Sequence, residues 1–343
     1  MQHMAVRQSV LVVGGAGYIG SHMVKALQEA GHHVTVLDNL SSGHRDAVIG
    51  GNLIVGDLAD ITLMESVFSE NSFDAVMHFA SFIQVGESVK KPAIYYHNNV
   101  SNTLNLLDVM VRHDVKKLVF SSTAAIFGEP EYVPIDEAHP RNPVNPYGRS
   151  KWIMEQILAD YDKAYGLKNV SLRYFNAAGA DPSGLLGERH DPETHLIPIA
   201  LEVALGKRAA LTLFGDDYDT PDGTCIRDYI HVNDLCQAHL LAMTYLHETQ
   251  RSLSVNLGNG RGFSVHEVIS MVEQVSATTL PVTICPRREG DPARLIADSR
   301  LARELLGWQP VYPDLHSIVR HAWQWALNCE AKTMTREREN VCA

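Results

Sequence analysis

The stretch that most limits the possible folds is Val10-Leu11-Val12-Val13-Gly14-Gly15-Ala16-Gly17-Tyr18-Ile19-Gly20, an apolar run that ends directly in glycines. Short apolar runs bounded by glycine read as buried strands. Met23, Ala26, Leu27 and Ala30 then recur at helical spacing as far as Gly31, a residue suited to ending a helix. In a strand, turn and helix of this kind, Gly14, Gly17 and Gly20 let the backbone turn tightly, approach a pyrophosphate and pack helix on strand, with the helix N-terminus facing the anion. The spacing is G-x-x-G-x-x-G rather than G-x-G-x-x-G. A second strand, His33-Val34-Thr35-Val36-Leu37, stops at Asp38-Asn39, 24 residues after Gly14. A carboxylate there can accept both ribose hydroxyls and repel a 2′-phosphate, so the expected ligand is NAD rather than NADP.

The alternation continues through Leu53-Ile54-Val55-Gly56-Asp57-Leu58, Ala75-Val76-Met77-His78-Phe79-Ala80 and Leu118-Val119-Phe120-Ser121-Ser122, with helical segments between them. Strands alternating with helices imply an α/β fold with a doubly wound parallel sheet. Ligands of such sheets sit beyond the carboxyl ends of the strands, which here carry Asp38, Asp57-Leu58, Phe79-Ala80-Ser81 and Thr123. Asp57 is placed to reach the adenine end.

Pro146-Tyr147-Gly148-Arg149-Ser150-Lys151 sets a phenol and an ammonium four residues apart at the start of a helix expected over 147–165, on one helix face. A phenol titrates near pH 10 and is a poor base, but a nearby cation favours the phenolate. Thr123, 24 residues before Tyr147, offers a hydroxyl that can share its proton. The 147–165 helix and a second long helix over 94–110 carry apolar stripes and are expected to pack against a second subunit, giving a homodimer.

With 343 residues, 45% of them hydrophobic, the chain can bury a large core, and its formal net charge of -11 excludes a general nucleic-acid surface. Cys225, Cys236, Cys285, Cys329 and Cys342 contain no close pair, so neither a disulfide framework nor a zinc site is expected, and no metal is assigned. No apolar run approaches a membrane span or a signal sequence, and the chain reads as cytoplasmic.

The second half begins with a sixth strand over 170–176, after which the strict alternation fails and residues 180–193 become rich in Gly, Pro and Asp. A Rossmann domain over 1–180 is therefore expected to be followed by a smaller α/β substrate domain over 181–343, with a segment of about 226–258 returning to the first. A helix over 194–205, a strand over 211–214, a helix beginning near Asn233 and a capping box at Ser264-Val265-His266-Glu267 are expected in turn. Arg227 and Arg288 are candidates for a diphosphate, whose geometry a guanidinium fork matches. Two short helices and a charged, aperiodic tail over 330–343 are expected to close the chain.

These motifs together, with Leu172-Arg173-Tyr174-Phe175-Asn176, Arg227-Asp228-Tyr229-Ile230-His231-Val232 and Arg287-Arg288-Glu289-Gly290-Asp291, resemble the UDP-glucose 4-epimerases of the extended short-chain dehydrogenase/reductase family over nearly the whole chain. The resemblance implies that Thr123, Tyr147 and Lys151 are catalytic. It puts Gly14, Gly17, Tyr18, Ile19, Gly20, Asp38, Asn39, Asp57, Leu58, Phe79, Ala80, Tyr147, Lys151 and Tyr174 on NAD. It puts Thr123, Asn176, His195, Leu196, Arg227, Arg288, Asp291 and Leu295 on a UDP-sugar. Ile83 stands where many members carry a Lys that contacts the cofactor, and His195 where many carry Asn.

The implied reaction is reversible C4 epimerisation of UDP-glucose and UDP-galactose through a bound 4-keto sugar: Tyr147 takes the O4 proton, hydride passes to NAD, the ketone turns over and hydride returns to its other face. Sugar 4,6-dehydratases of the family place Asp-Glu after the catalytic Thr. Here Ala124-Ala125 follow, and alanines cannot do acid/base work at C5 and C6. A uronate or pentose epimerase of the family remains an alternative, as does a non-catalytic NAD-binding scaffold, although a scaffold would be expected to have lost Tyr147 or Lys151. By the same resemblance Leu295 walls the pocket beside the sugar C2, where Tyr excludes N-acetyl sugars. Leu leaves more room, which implies a slower activity on UDP-N-acetylhexosamines.

Overall fold

The computed structural model describes residues 7–288 and 290–342, the last eleven of these (332–342, Cys342 among them) by backbone alone; Glu289 lies outside it. β1 (Ser9–Val13) leads through the glycine turn into α1 (Tyr18–Glu29), followed by β2 (His33–Asp38), β3 (Asn52–Val55), α2 (Ile61–Glu70) and β4 (Ala75–His78). Next come α3 (Val85–Lys90), α4 (Pro92–Tyr96), a π-helical turn over His97–Ser101, α5 (Asn102–Arg112), β5 (Lys117–Thr123), α6 (Pro146–Tyr165) and β6 (Lys168–Tyr174). The second half holds β7 (Asn176–Ala178), α7 (Leu196–Ala204), β8 (Leu211–Phe214), β9 (Ile226–His231), α8 (Val232–Thr249) and β10 (Leu253–Leu257). β11 (Gly262–Ser264), α9 (Val265–Ser276), β12 (Val282–Cys285), β13 (Arg294–Leu295), α10 (Arg300–Leu306) and α11 (Leu315–Cys342) complete it.

Seven parallel strands form one sheet in the order β10-β6-β5-β4-β1-β2-β3. The order reverses between β1 and β4, and the crevice beyond the carboxyl ends of these two strands is the ligand position of a doubly wound sheet. Both faces of the sheet are covered. Val10 and Val12 pack with Met23 and Leu27 of α1 and with α8, while Leu11 and Val13 pack with Met64, Leu106, Leu107 and Met154 of α2, α5 and α6. This is why β1 reads as a continuous apolar run rather than an alternating one. Each such side chain, fully removed from water, contributes about 1.5–3 kcal/mol. β10 pairs with β6, so residues 253–257 belong to the large sheet although they follow three strands that do not. β7, β9, β11 and β13 make a smaller sheet, and β8 pairs with β12.

One expectation about helices is refined and one is corrected. The helix expected over 94–110 runs uninterrupted from α4 into α5 but contains a π turn, whose extra residue per turn brings Asn99 inward: its side chain accepts from Phe82 N at 2.9 Å and donates to Ser150 Oγ of α6 at 3.1 Å. At the end of the chain, α10 is short, but α11 runs 28 residues through the tail that was expected to lack regular structure. Leu315, Ile318, Val319, Ala322 and Trp325 form its buried stripe. The described cysteines Cys225, Cys236 and Cys285 are free thiols. No helix among the described residues is long and apolar enough to cross a membrane.

Candidate active site

The cofactor side begins at the glycine turn. Gly14 holds φ +79°, and a Cβ there would lie 2.5 Å from Ala80 N; one on Gly20 would overlap the Gly14 carbonyl. Only glycine permits both the turn and the approach of β1 to the end of β4, where Phe79 N donates to Val13 O at 2.7 Å. The N-terminus of α1 has no side-chain cap and no acidic residue in its first turn, so its free N–H groups and the positive end of its dipole remain available to an anion. Tyr18 faces inward, its hydroxyl donating to Gly179 O at 2.7 Å, which leaves the backbone of Tyr18 and Ile19 as what this segment offers a phosphate.

Asp38 is 8% exposed at the end of β2; Oδ2 accepts from Ala16 N and Oδ1 from Leu40 N, both at 2.8 Å. Each oxygen keeps a lone pair, enough for two ribose hydroxyls. Asn39 Nδ2 donates to Asp57 Oδ2 at 2.6 Å, and Asn105 Nδ2 holds Leu58 O at 3.2 Å, so the loops after β2 and β3 converge on one edge of the crevice. Among the described residues these features fit a dinucleotide.

The catalytic candidates meet at the end of β5. Thr123 is its last residue, in register with Tyr174 of β6. Asn145 caps α6 by accepting from Gly148 N at 2.8 Å, Pro146 occupies the first turn, and Tyr147 follows. Gly148 lets the helix touch the turn after Thr123: a Cβ there would overlap the Ala125 carbonyl, whose carbon would be 2.9 Å away. This close docking sets the Tyr147 phenol beside the Thr123 hydroxyl. Lys151, one turn on and 2% exposed, donates from Nζ to Ser81 Oγ at 2.7 Å and to Ser121 O at 2.8 Å and lies 4.8 Å from the centroid of the Phe120 ring. A further turn along, Glu155 pairs with Arg173 of β6 and accepts from Ser122 Oγ, all three side chains buried.

Burial pushes the Tyr147 phenol up, with the Thr123 hydroxyl opposing, and burial pulls Lys151 down to about 7, with Glu155 opposing. In this structure Lys151 Nζ is directed at Ser81 Oγ and Ser121 O.

The expected UDP-sugar residues lie on the smaller sheet and its loops. Asn176 begins β7 and donates from Nδ2 to Asp228 O at 3.1 Å. His195 is the N-cap residue of α7 and Leu196 its first residue. Arg227 on β9 forms an ion pair with Asp291, and the Arg288 guanidinium stands 4.0 Å from the Phe214 ring centroid. Leu295 pairs in register with Arg227 and packs against the cluster of Ala124, Ile126 and Phe127, directly after Thr123. Arg227 is thus joined through Leu295 to the residues that follow Thr123.

Ser81 was placed at the crevice by its strand end but given no partner, and Gly148 and the Glu155–Arg173 pair were not given roles from the sequence. Ser81 follows a strand that looks like any other, and its role shows only once β4 lies beside β5. Gly148 carried a signal, a glycine one residue after Tyr147 in an otherwise good helix, where it costs about 1 kcal/mol relative to Ala unless packing requires it.

A sequence model of the NAD dependent epimerase/dehydratase family matches residues 10–258. The UDP-glucose 4-epimerase of Halalkalibacterium halodurans is 55% identical over 317 residues, which cover 92% of this chain and 95% of that one. Among solved structures, UDP-glucose 4-epimerase from Brucella ovis in complex with NAD has a TM-score of 0.90 at 51% identity, covering 92% of this chain and 97% of its own. The Bifidobacterium longum UDP-glucose 4-epimerase in complex with NAD+ and UDP has a TM-score of 0.88 at 41% identity, covering 93% and 98%. With the glycine turn, Tyr147 and Lys151 placed as the fold requires, the chain belongs to the NAD dependent epimerase/dehydratase family.

Proposed function

We infer that the chain is a UDP-glucose 4-epimerase, an isomerase that uses NAD to interconvert UDP-glucose and UDP-galactose. The observation that carries this reading is the meeting of Thr123, Tyr147 and Lys151 at the end of β5, between the glycine turn and the Arg227, Asp291 and Leu295 group. Relatives named for this activity at about half identity over nearly the whole chain support it. NAD, when bound, supplies the acceptor and donor of the C4 hydrogen and a positively charged nicotinamide ring.

The chain's own residues do the rest. The N–H groups of the α1 N-terminus take the pyrophosphate, and Asp38 takes the adenosine ribose, with Asn39, Asp57 and Leu58 toward the adenine. Tyr174, Phe79 and Ala80 wall the nicotinamide side. Tyr147 removes the O4 proton and returns it, and Thr123, at its side, shares that proton. Lys151 exchanges its bonds to Ser81 and Ser121 for the ribose and steadies the phenolate. Arg227 and Arg288 hold the diphosphate, Asp291 orients Arg227, and Asn176, His195 and Leu196 complete the nucleotide side. Few charged groups are left for the hexose, so it can turn over while the UDP stays fixed.

Leu295, packed on the cluster that contains Ala124, has neither the outer ring nor the hydroxyl of a Tyr. Slower turnover of UDP-N-acetylglucosamine follows. The NAD unit is assigned to 1–180 and the UDP-sugar unit mainly to 181–343, with about 226–258 returning to the first. A homodimer is supported by the exposed Val85, Val89 and Ile94 on α3 and α4 beside α6, and a cytoplasmic location goes with a substrate made from activated sugar. The test is incubation of the purified chain with UDP-galactose and no added cofactor, followed by chromatography. UDP-glucose should accumulate to equilibrium; unchanged UDP-galactose from a preparation that retains NAD would overturn the assignment.

A further inference from the structure

Between β7 and α7 the chain reads Glu188-Arg189-His190-Asp191-Pro192-Glu193-Thr194-His195, and four of these side chains converge. One ligand-capable atom from each of Glu188, His190, Glu193 and His195 lies within 4.8 Å of those of the other three. His190 Nδ1 is 3.0 Å from Glu188 Oε1 and 3.7 Å from Glu193 Oε2; His195 Nδ1 touches Glu188 Oε1 and is 3.7 Å from Glu193 Oε1. Two nitrogens and two oxygens bound to one ion at about 2.0–2.2 Å in a tetrahedron stand about 3.3–3.6 Å apart, so these spacings bracket a shared centre.

Charge and burial point the same way. The side chains of Glu188 and Glu193 are 6% and 5% exposed, and among the described ion pairs neither meets a Lys or Arg. Arg189, in the same loop, pairs with Asp46 instead, Nη1 to Oδ2 at 3.1 Å. Two buried carboxylates a few ångströms apart need a counter-charge. His190 Nδ1 is buried and makes no well-aligned hydrogen bond although Glu188 Oε1 is 3.0 Å away. Glu193 is fixed by the backbone, its Oε1 accepting from the N–H of Thr194 at 2.7 Å and of His195 at 2.9 Å.

We propose that Glu188, His190, Glu193 and His195 form a four-coordinate site for a divalent transition ion of the zinc or cobalt class. Two carboxylates balance the ion's charge, and the imidazole and carboxylate donors suit these metals better than magnesium or calcium, which take oxygen ligands. The bound ion ties the β7–α7 loop together and fixes the ring of His195, the residue directly before the helix that starts at Leu196. The rival occupant is a pair of protons: burial pulls the His190 imidazole down, but Glu188 and Glu193 outweigh it and push it up to about 10.

The test uses the untagged full chain, stripped with a chelator and desalted. It is titrated with Zn2+ in competition with a chromophoric chelator, and with Co2+ while the visible d–d bands of a four-coordinate ion are followed. The expected result is one equivalent per chain, a metal-dependent rise in melting temperature, and affinity lowered at least about tenfold in His190→Ala and in Glu193→Gln. The glutamine keeps a carbonyl for the Thr194 and His195 amides, so that variant should fold, as its melting curve without metal will show. Absence of stoichiometric uptake, or uptake of equal affinity in both variants, overturns the proposal. The measurement needs no substrate, so its failure leaves the epimerase reading untouched.

Discussion

Replacing Gly148 by Ala should separate helix stability from catalysis. In an unconstrained helix interior Gly→Ala is stabilising by about 0.5–1 kcal/mol. Here the new Cβ would stand 2.9 Å from the Ala125 carbonyl carbon and closer still to its oxygen, where 3.4 Å is ordinary contact. Both are backbone atoms, so no side chain can swing aside. The start of α6 must move away from the turn after Thr123 by about 0.5 Å on the carbon alone and by up to about 1 Å on the oxygen, the range over which a catalytic group loses its productive position. Tyr147 precedes the substituted residue and moves with it, whereas the glycine turn, Asp38 and the arginines do not. Turnover of UDP-galactose should therefore fall by about 10- to 100-fold with bound NAD retained, which an absorbance spectrum of the purified variant reports. A variant that folds, holds NAD and keeps more than half the wild-type rate would show that the contact between α6 and the 124–126 turn does not position the phenol.

Tyr147→Phe keeps the ring packing but removes the proton acceptor, and should cost about 10²–10⁴ in kcat at unchanged NAD content; a rate above about a tenth of wild type would exclude Tyr147 as the principal base. Asp38 should make the NAD-free chain bind NAD far more tightly than NADP, in an equilibrium titration, and Asp38→Asn should narrow the gap; equal binding of the two by the wild type would refute its placement at the ribose. Leu295→Tyr should lower kcat/KM for UDP-N-acetylglucosamine relative to UDP-glucose by an amount of order 1–3 kcal/mol, and an unchanged ratio would remove Leu295 from the specificity wall. Glu155→Gln leaves the buried Arg173 guanidinium without its counter-charge, so denaturant unfolding should show a loss of about 3–5 kcal/mol; a loss under 1 kcal/mol would mean that the pair contributes nothing net.

The parts of the fold legible in the sequence are those in which burial writes a pattern. Val10–Val13 and Leu118–Phe120 are apolar on consecutive residues because helices cover both faces of the sheet, and Gly14 and Gly20 are glycines because no Cβ fits. Tyr147 and Lys151 were found from the residues themselves, since i,i+4 spacing is local. What was not legible depends on contacts between distant segments. The π turn at His97–Ser101 adds one residue to an otherwise helical pattern, too little to disturb its period, yet it aims Asn99 at α6. The partners of Lys151, Ser81 and Ser121, are set by the adjacency of β4, β5 and α6. The loop over 188–195 has no periodicity at all. Its composition read as irregular chain, and only folding brings two carboxylates and two imidazoles to one place.

The central claim is that a single pocket removes the C4 hydrogen of the sugar and returns it to the other face without release. UDP-galactose carrying deuterium at C4 tests this directly when incubated with the purified chain in ordinary water with no added cofactor. The UDP-glucose formed should retain the deuterium at C4 in full, as read by NMR and mass spectrometry. Loss of the label to solvent would contradict transfer within one site, and recovery of labelled UDP-galactose alone would contradict the activity itself.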